Sequence, residues 1–352
     1  MKIKNKKKFI LRIVLITLGV IFLVVCPIVT GILYHQNFGY RAQTVKWQQL
    51  FPEDFPGLKM DQCYFQSDKG QKLAGYKFSK DNQDVKGIVV ISHGYGGAFN
   101  TYMCVANYFA SNGYYVFGYD CTGCDNSQGK GLKGLPQGVI DLDYAIRYIE
   151  SCPQYKDLPI MLFGHSWGGY SVTNVLNVHP EVAAVVSVAG FNKSTDLIKS
   201  WGRDIAGPFI YLAMPYISIY EKLKFGKYSS FTAQKGFDNS EAGIMSLHSR
   251  NDTVVSPEFG YDLWYKDYTN NPRFKFCEYE DRGHNHIYYD KSVHPYDVQF
   301  CDGYNDYVKS NNLESTEELV LEYSKKHFDK SKYYKLDENV MGKILEFYNS
   351  NL

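Results

Sequence analysis

A chain of 352 residues with 45% apolar side chains, 16% aromatics and only 12 prolines is too apolar for a disordered tail and too large for a small disulfide-stapled scaffold, so it buries a sizeable core as one large domain or two ordinary ones. With 38 Lys and Arg against 37 Asp and Glu the net charge is +1, which gives no overall electrostatic reason for nucleic-acid binding. The charge is unevenly spread: Lys2, Lys4, Lys6, Lys7, Lys8 and Arg12 put +6 in the first twelve residues, and the remainder carries −5.

Residues 13–34 contain no charge and are dominated by Ile, Val and Leu. At about 1.5 Å per residue such a helix spans roughly 33 Å, the thickness of a bilayer core. A transmembrane helix over 13–34 behind a basic cytoplasmic tail, 1–12, is therefore expected. A cleaved signal peptide is the weaker alternative: its apolar region is usually about 7–15 residues long and ends in a small-x-small site, and the best such site here, near Gly31, is poor. Val25 before Cys26 argues against lipid attachment at that cysteine. The positive-inside rule puts everything after about residue 35 outside the cytoplasm. Of the eight cysteines, Cys26 lies in the span, so the exported part holds an odd number and at least one is free or paired with another chain.

Residues 35–60 read as a tether carrying Trp47, Phe51 and Phe55, and a single globular unit follows over 61–352. Cys63–Gln66 and Lys72–Phe78 read as strands of a hairpin about an Asp68-Lys69-Gly70 turn. Short β-branched or aromatic runs then recur at Gly87–Ser92, Tyr114–Tyr119, Pro159–Phe163, Ala183–Val188, Ile244–His248 and Phe274–Glu278. Amphipathic stretches such as 137–151 and 167–178 lie between them. Continuous apolar strands alternating with helices predict an α/β fold, a mostly parallel sheet covered on both faces. Residues 192–243 are too long for an ordinary connection and predict an inserted cap. Its apolar side chains, Trp201, Phe209, Ile210, Tyr211, Leu212, Met214, Tyr216, Ile217 and Tyr220, serve equally well as a pocket lining, a membrane-facing surface or simple packing. Residues 288–336 form a second insertion before a last helix at about 337–349.

Chemistry concentrates at the ends of the predicted strands. Gly164-His165-Ser166-Trp167-Gly168 is a G-x-S-x-G that follows one strand and opens a helix. The sharp turn needs its glycines because side chains two before and two after the serine would collide. By composition alone such a pentapeptide arises in roughly one chain in ten, so the strand-turn-helix setting carries the weight. A serine hydroxyl needs a base, an acid to orient that base and donors for an oxyanion. Asp252 follows the strand Ile244–His248, where open α/β sheets place their sites. His284 follows the next strand in Gly283-His284-Asn285-His286, and His93-Gly94-Tyr95-Gly96-Gly97 follows Gly87–Ser92. Asp238 and Asp262 are rivals for the acid and His286 for the base. The order Ser166, Asp252, His284 is that of α/β-hydrolases, not of chymotrypsin or subtilisin.

On these motifs the chain resembles the α/β-hydrolase superfamily, in particular serine hydrolases of the monoacylglycerol lipase and serine aminopeptidase type, over roughly residues 61–350. Asp120-Cys121-Thr122-Gly123-Cys124-Asp125-Asn126-Ser127 is similar to the family's D-x-x-G-x-G-x-S turn, with Cys124 where glycine is common. The resemblance implies Ser166 as nucleophile, His284 as base, Asp252 as orienting acid, and the N–H groups of Tyr95 and Trp167 as oxyanion hole. His93 is expected to support the oxyanion loop without transferring protons. The substrate is then a small-molecule ester or amide, a lipid or a peptide, with no metal, organic cofactor or nucleic acid required. A metal pair at His284 and His286 lacks a third ligand, and Cys121 and Cys124 read as small residues filling a turn. An acyltransferase with the same triad and a catalytically inactive binding module are the alternatives.

Overall fold

The structure, a computed structural model, describes residues 2–81 and 84–352. Met1 and the side chains of residues 2–5 and 7, all within the expected basic tail, lie outside the described residues.

The apolar runs form strands β1 (Lys59–Gln66), β2 (Lys72–Ser79), β3 (Gly87–Ser92), β4 (Tyr114–Tyr119), β5 (Ile160–His165), β6 (Ala184–Val188), β7 (Gly243–Ser249) and β8 (Phe274–Tyr279). They make one sheet in the order β1-β2-β4-β3-β5-β6-β7-β8. β1 and β2 pair antiparallel about Gly70, whose φ is +77°, and β2 is antiparallel to β4. Every later pair, from β4 with β3 to β7 with β8, is parallel. The α/β-hydrolase fold is thus present, with its parallel part carrying the predicted motifs.

Strand side chains alternate between the two faces of a sheet, and β3 shows what that requires here. Ile88 and Val90 enter one core with the helices Pro136–Glu150 and Trp167–Asn174, while Val89 and Ile91 enter the other with Met103–Ser111 and Glu338–Asn349. Both faces are dry, so the run is apolar throughout. Asp337 caps the last helix by accepting the N–H groups of Asn339 and Val340.

Residues 192–243 hold the helices Ser194–Ala206, Ile210–Phe225 and Ala233–Asp238, and the second long insertion holds Val293–Ser310, Glu317–His327 and Lys330–Tyr333. At the N-terminus, helix Lys2–Val20 passes through a π turn, Ile21–Val25, into helix Cys26–Phe38. The stretch Lys8–Phe38 is long and apolar enough to cross a membrane. The helix ends four residues beyond the expected 34, because Tyr34 and Phe38 pack into the body's core. The expected tether lies along the body: Ala42 forms a bridge with Cys124, Leu50 is buried, and the Trp47 ring lies 4.8 Å from both Phe300 and Phe328. All eight cysteines are free, and Cys121 and Cys124 are buried in the turn after β4.

Candidate active site

β5 ends at His165, and Ser166 turns the chain into helix Trp167–Asn174 with φ 57° and ψ −115°. Its N–H donates to the Val188 carbonyl at 2.8 Å. The glycines of the motif are explained by contact: a Cβ on Gly164 would lie 2.2 Å from the Gly168 oxygen, and one on Gly168 would lie 1.9 Å from the Ser92 oxygen. The elbow is wedged between its neighbours, with the serine hydroxyl held at the C-terminal edge of the sheet.

The Ser166 hydroxyl donates to His284 Nε2 at 2.8 Å, and His284 Nδ1–H donates to Asp252 Oδ2 at 2.7 Å. Asp252 Oδ1 accepts the N–H groups of Val254 and Val255 at 2.8 and 2.9 Å, and His248 Nε2 lies 3.3 Å from Oδ2. Burial works against ionisation of Asp252. The hydrogen bonds from His248 and His284, the attraction of His284 and the Val255 N–H outweigh it and hold the carboxyl well below the usual carboxylate range. The two loops are cross-tied: Asn251 Oδ1 accepts the Gly283 N–H at 2.7 Å, and Ser249 Oγ accepts the Arg282 N–H at 2.9 Å.

The rival residues are occupied elsewhere. Asp238 accepts the Tyr268 hydroxyl at 2.8 Å, Asp262 pairs with Arg250 at 2.6 Å, and the His286 ring lies 4.9 Å from that of His294.

Tyr95 and Trp167 flank the serine from two elements, their rings 5.9 Å apart. The Trp167 N–H belongs to the first turn of its helix, where backbone donors have no intrahelical partner. Its indole N–H donates to the Leu135 carbonyl at 2.7 Å, which fixes the ring away from the serine hydroxyl. His93 is wholly buried: Nδ1–H donates to the Gly94 carbonyl at 2.8 Å and Nε2 accepts the Cys121 N–H at 3.0 Å. Burial pushes its pKa down to about 4, so it ties the loop to the turn after β4 as a neutral ring.

Two supporting residues escaped the sequence reading. The Tyr102 hydroxyl accepts the Gly94 N–H at 2.9 Å and donates to His165 Nδ1 at 3.0 Å, and His165 Nε2–H donates to the His284 carbonyl at 2.9 Å. Burial, aided by the nearby His284, pushes His165 down to about 3. One neutral imidazole thereby links the loop of Tyr95 to the backbone of His284. His165 stood inside the G-x-S-x-G motif; nothing in the sequence marked Tyr102.

Glu150, His179 and Glu181 cluster closely enough to hold a metal ion, but the imidazole is already engaged. Its Nε2 is 2.8 Å from Asp143 and its Nδ1 2.6 Å from Glu181. Burial alone would lower its pKa, but these carboxylates raise it. With both ring nitrogens engaged by carboxylates, neither is free to bind a metal ion.

Sheet and site together define a class: an α/β-hydrolase fold carrying the side-chain set of a serine hydrolase. Comparison with known proteins agrees. A family model described as serine aminopeptidase, S33, matches residues 83–241. Caffeoylshikimate esterase from Arabidopsis thaliana is 34% identical over 129 residues, which are 35% of this chain and 39% of that protein. The alignment thus spans well under half of the curated relative. Among solved structures, an esterase of Pyrococcus furiosus superposes with TM-score 0.54 at 15% identity, covering 78% of this chain and 98% of its own. An acetyl xylan esterase from Paenibacillus sp. R4 gives 0.52 at 16% identity, covering 71% and 85%. At these identities the structural likeness establishes the fold.

Proposed function

We propose that the protein is a membrane-anchored carboxylic ester hydrolase that works through Ser166, His284 and Asp252. The observation that carries the reading is the continuous relay from the Ser166 hydroxyl to His284 Nε2 at 2.8 Å and from Nδ1–H to Asp252 at 2.7 Å. His284 takes the Ser166 proton as the oxygen attacks the ester carbonyl, and Asp252 holds the ring in the required tautomer and stabilises the imidazolium. The N–H groups of Tyr95 and Trp167 receive the oxyanion. The imidazolium then protonates the departing alkoxide, and water repeats the sequence to free the acid. An ester is preferred to a peptide because the curated relative is an esterase, while the family model that matches residues 83–241 is described as a serine aminopeptidase and keeps a peptide or amide as the second reading.

Ser166→Ala is expected to abolish labelling by a fluorophosphonate probe and hydrolysis of a p-nitrophenyl ester; a variant that keeps full labelling removes the nucleophile assignment. Product analysis with an added alcohol distinguishes hydrolysis from acyl transfer. Helix Lys8–Phe38 serves as the anchor, and the cationic residues before it put the hydrolase outside the cytoplasm. A C-terminal reporter that works only outside the cytoplasm should be active, and activity of a cytoplasm-only reporter reverses this topology.

A further inference from the structure

The N-terminal helix does more than precede the body. Its last three turns pack against the cap helix Ile210–Phe225, with the Tyr34 hydroxyl donating to the buried Glu221 at 2.9 Å, and face the cap helix Ser194–Ala206 across a cavity. The cavity, of about 200 Å³, is lined by Thr30 and Phe38 from the helix and by Trp201, Ile205, Ala213 and Ile217, among others, from the cap. Its walls are almost wholly apolar and none carries a charge.

The cavity has two ends of different character. At the inner end, Phe38 and Trp201 contact the Tyr95 ring at 5.8 and 5.9 Å, and Tyr95 in turn meets Trp167, the residue after Ser166. At the outer edge Ile205 is 82% exposed and Leu33 52% exposed. The cap reaches far along the helix, the Tyr216 hydroxyl donating to the Phe22 carbonyl at 2.8 Å, so with that helix in a membrane this edge would open beside the bilayer. Phe22 is in the middle of the uncharged stretch, about 24 Å along the helix from Phe38. Phe209, Leu212 and Leu223 of the cap are also exposed, an apolar surface that is costly in water and fits lipid.

We infer that this cavity takes the acyl chain of a membrane-resident ester, and that the N-terminal helix is one wall of the substrate site as well as an anchor. An engineered apolar cavity of about 150 Å³ holds benzene, so this one holds at least a six-carbon stretch, with the rest of a longer chain lying among the lipids. The cavity's inner end abuts the Tyr95 ring, on the loop that supplies one of the proposed oxyanion donors. This rests on Ser166 being the nucleophile.

The test uses the full chain in phosphatidylcholine nanodiscs, with kcat/KM measured on p-nitrophenyl acetate and p-nitrophenyl dodecanoate. Ala213→Phe fills the cavity from the cap and Thr30→Phe from the helix. Each should lower the dodecanoate-to-acetate ratio at least tenfold. Ratios within threefold of wild type for both variants overturn the assignment. A second measurement needs no variant: a dodecyl fluorophosphonate bearing a terminal-half diazirine should, after attachment and irradiation, cross-link to peptides within 26–38 or 198–217. Cross-links confined to other segments also overturn it. Failure of the underlying nucleophile reading looks different, because Ser166→Ala protein would then still hydrolyse both esters.

Discussion

Gly168→Ala is the most exacting test of the elbow. The added Cβ would stand 1.9 Å from the Ser92 oxygen, 2.6 Å from its carbonyl carbon and 3.0 Å from the His93 oxygen, where ordinary contact begins at 3.4 Å. All three are backbone atoms, so no rotamer change relieves the clash. The end of β3 and the helix after Ser166 must separate by about 1.5 Å. Overpacking of a core costs about 1–3 kcal/mol, and a backbone clash belongs at the upper end. For a domain of about 290 residues, with an unfolding entropy of about 2.1 cal/mol/K per residue, about 3 kcal/mol lowers the Tm by about 5 °C. The same displacement draws the Tyr95 loop, which follows β3, away from Ser166, and a 1 Å misplacement can cost about 100-fold in rate. Differential scanning fluorimetry and the second-order rate of fluorophosphonate labelling read the two effects. Gly342→Ala is the control with the opposite sign: it lies inside helix Glu338–Asn349 with no atom within 4 Å of the new Cβ, so it should gain about 0.5–1 kcal/mol. A Gly168→Ala protein melting within about 2 °C of wild type and labelled within threefold of its rate would refute the steric account.

Two further substitutions probe the charges. In Asp252→Asn the amide oxygen must still face the N–H groups of Val254 and Val255, which turns the NH₂ toward His284 Nδ1. The ring then carries its proton on Nε2, facing Ser166, and kcat/KM on a short ester should fall by about 10⁴, the size of the corresponding loss in serine proteases; a loss below tenfold contradicts the tautomer argument. Glu221, fully buried, is pushed up from 4.5 to about 7, by burial first, despite the hydrogen bonds from Ser194 and Tyr34 that favour its anion. Because the unfolded state releases this proton first, stability should fall as pH rises from about 4.5 to 7, by about 3 kcal/mol in all, and level off above. Glu221→Gln should flatten that slope in urea unfolding at pH 5 and pH 8, and an unchanged slope would place the titration elsewhere.

How much of this was legible depended on where each residue gets its conformation. β3 and β4 match their expected limits, Gly87–Ser92 and Tyr114–Tyr119, because full burial makes a strand apolar along its length and hydrophilic turns close it. β1 begins at Lys59, four residues before the expected Cys63. It is an edge strand whose first residues, Lys59 to Gln62, pair with Ser79 to Tyr76 and stay largely in water, so only the partner defines them. Ser166, Asp252 and His284 were visible because each ends or follows a strand with a local motif, and the sheet brings those ends together. The relay from Tyr102 through His165 to the His284 carbonyl joins residues 63 and 119 positions apart. No local pattern encodes a hydrogen bond of that kind.

The N-terminal helix shows the same limit for packing. A segment that faces lipid is apolar all round, so hydrophobic periodicity cannot mark the side that meets protein. Here the buried side is Thr30, Tyr34 and Phe38, spaced four residues apart on one face, while Ile28, Val29 and Ile32 remain exposed. The stripe is distinguished by shape and hydrogen-bonding capacity instead of by greasiness: Tyr34 supplies the hydroxyl that satisfies Glu221, and Phe38 supplies the ring that meets Tyr95. An aromatic-hydroxyl stripe at i, i+4, i+8 near the end of an otherwise aliphatic span is therefore the feature that separates a helix docked on its own domain from one that only tethers it. Replacing Tyr34 by Leu would keep the helix apolar and remove that docking contact, so docking can be tested separately from the proposed anchoring.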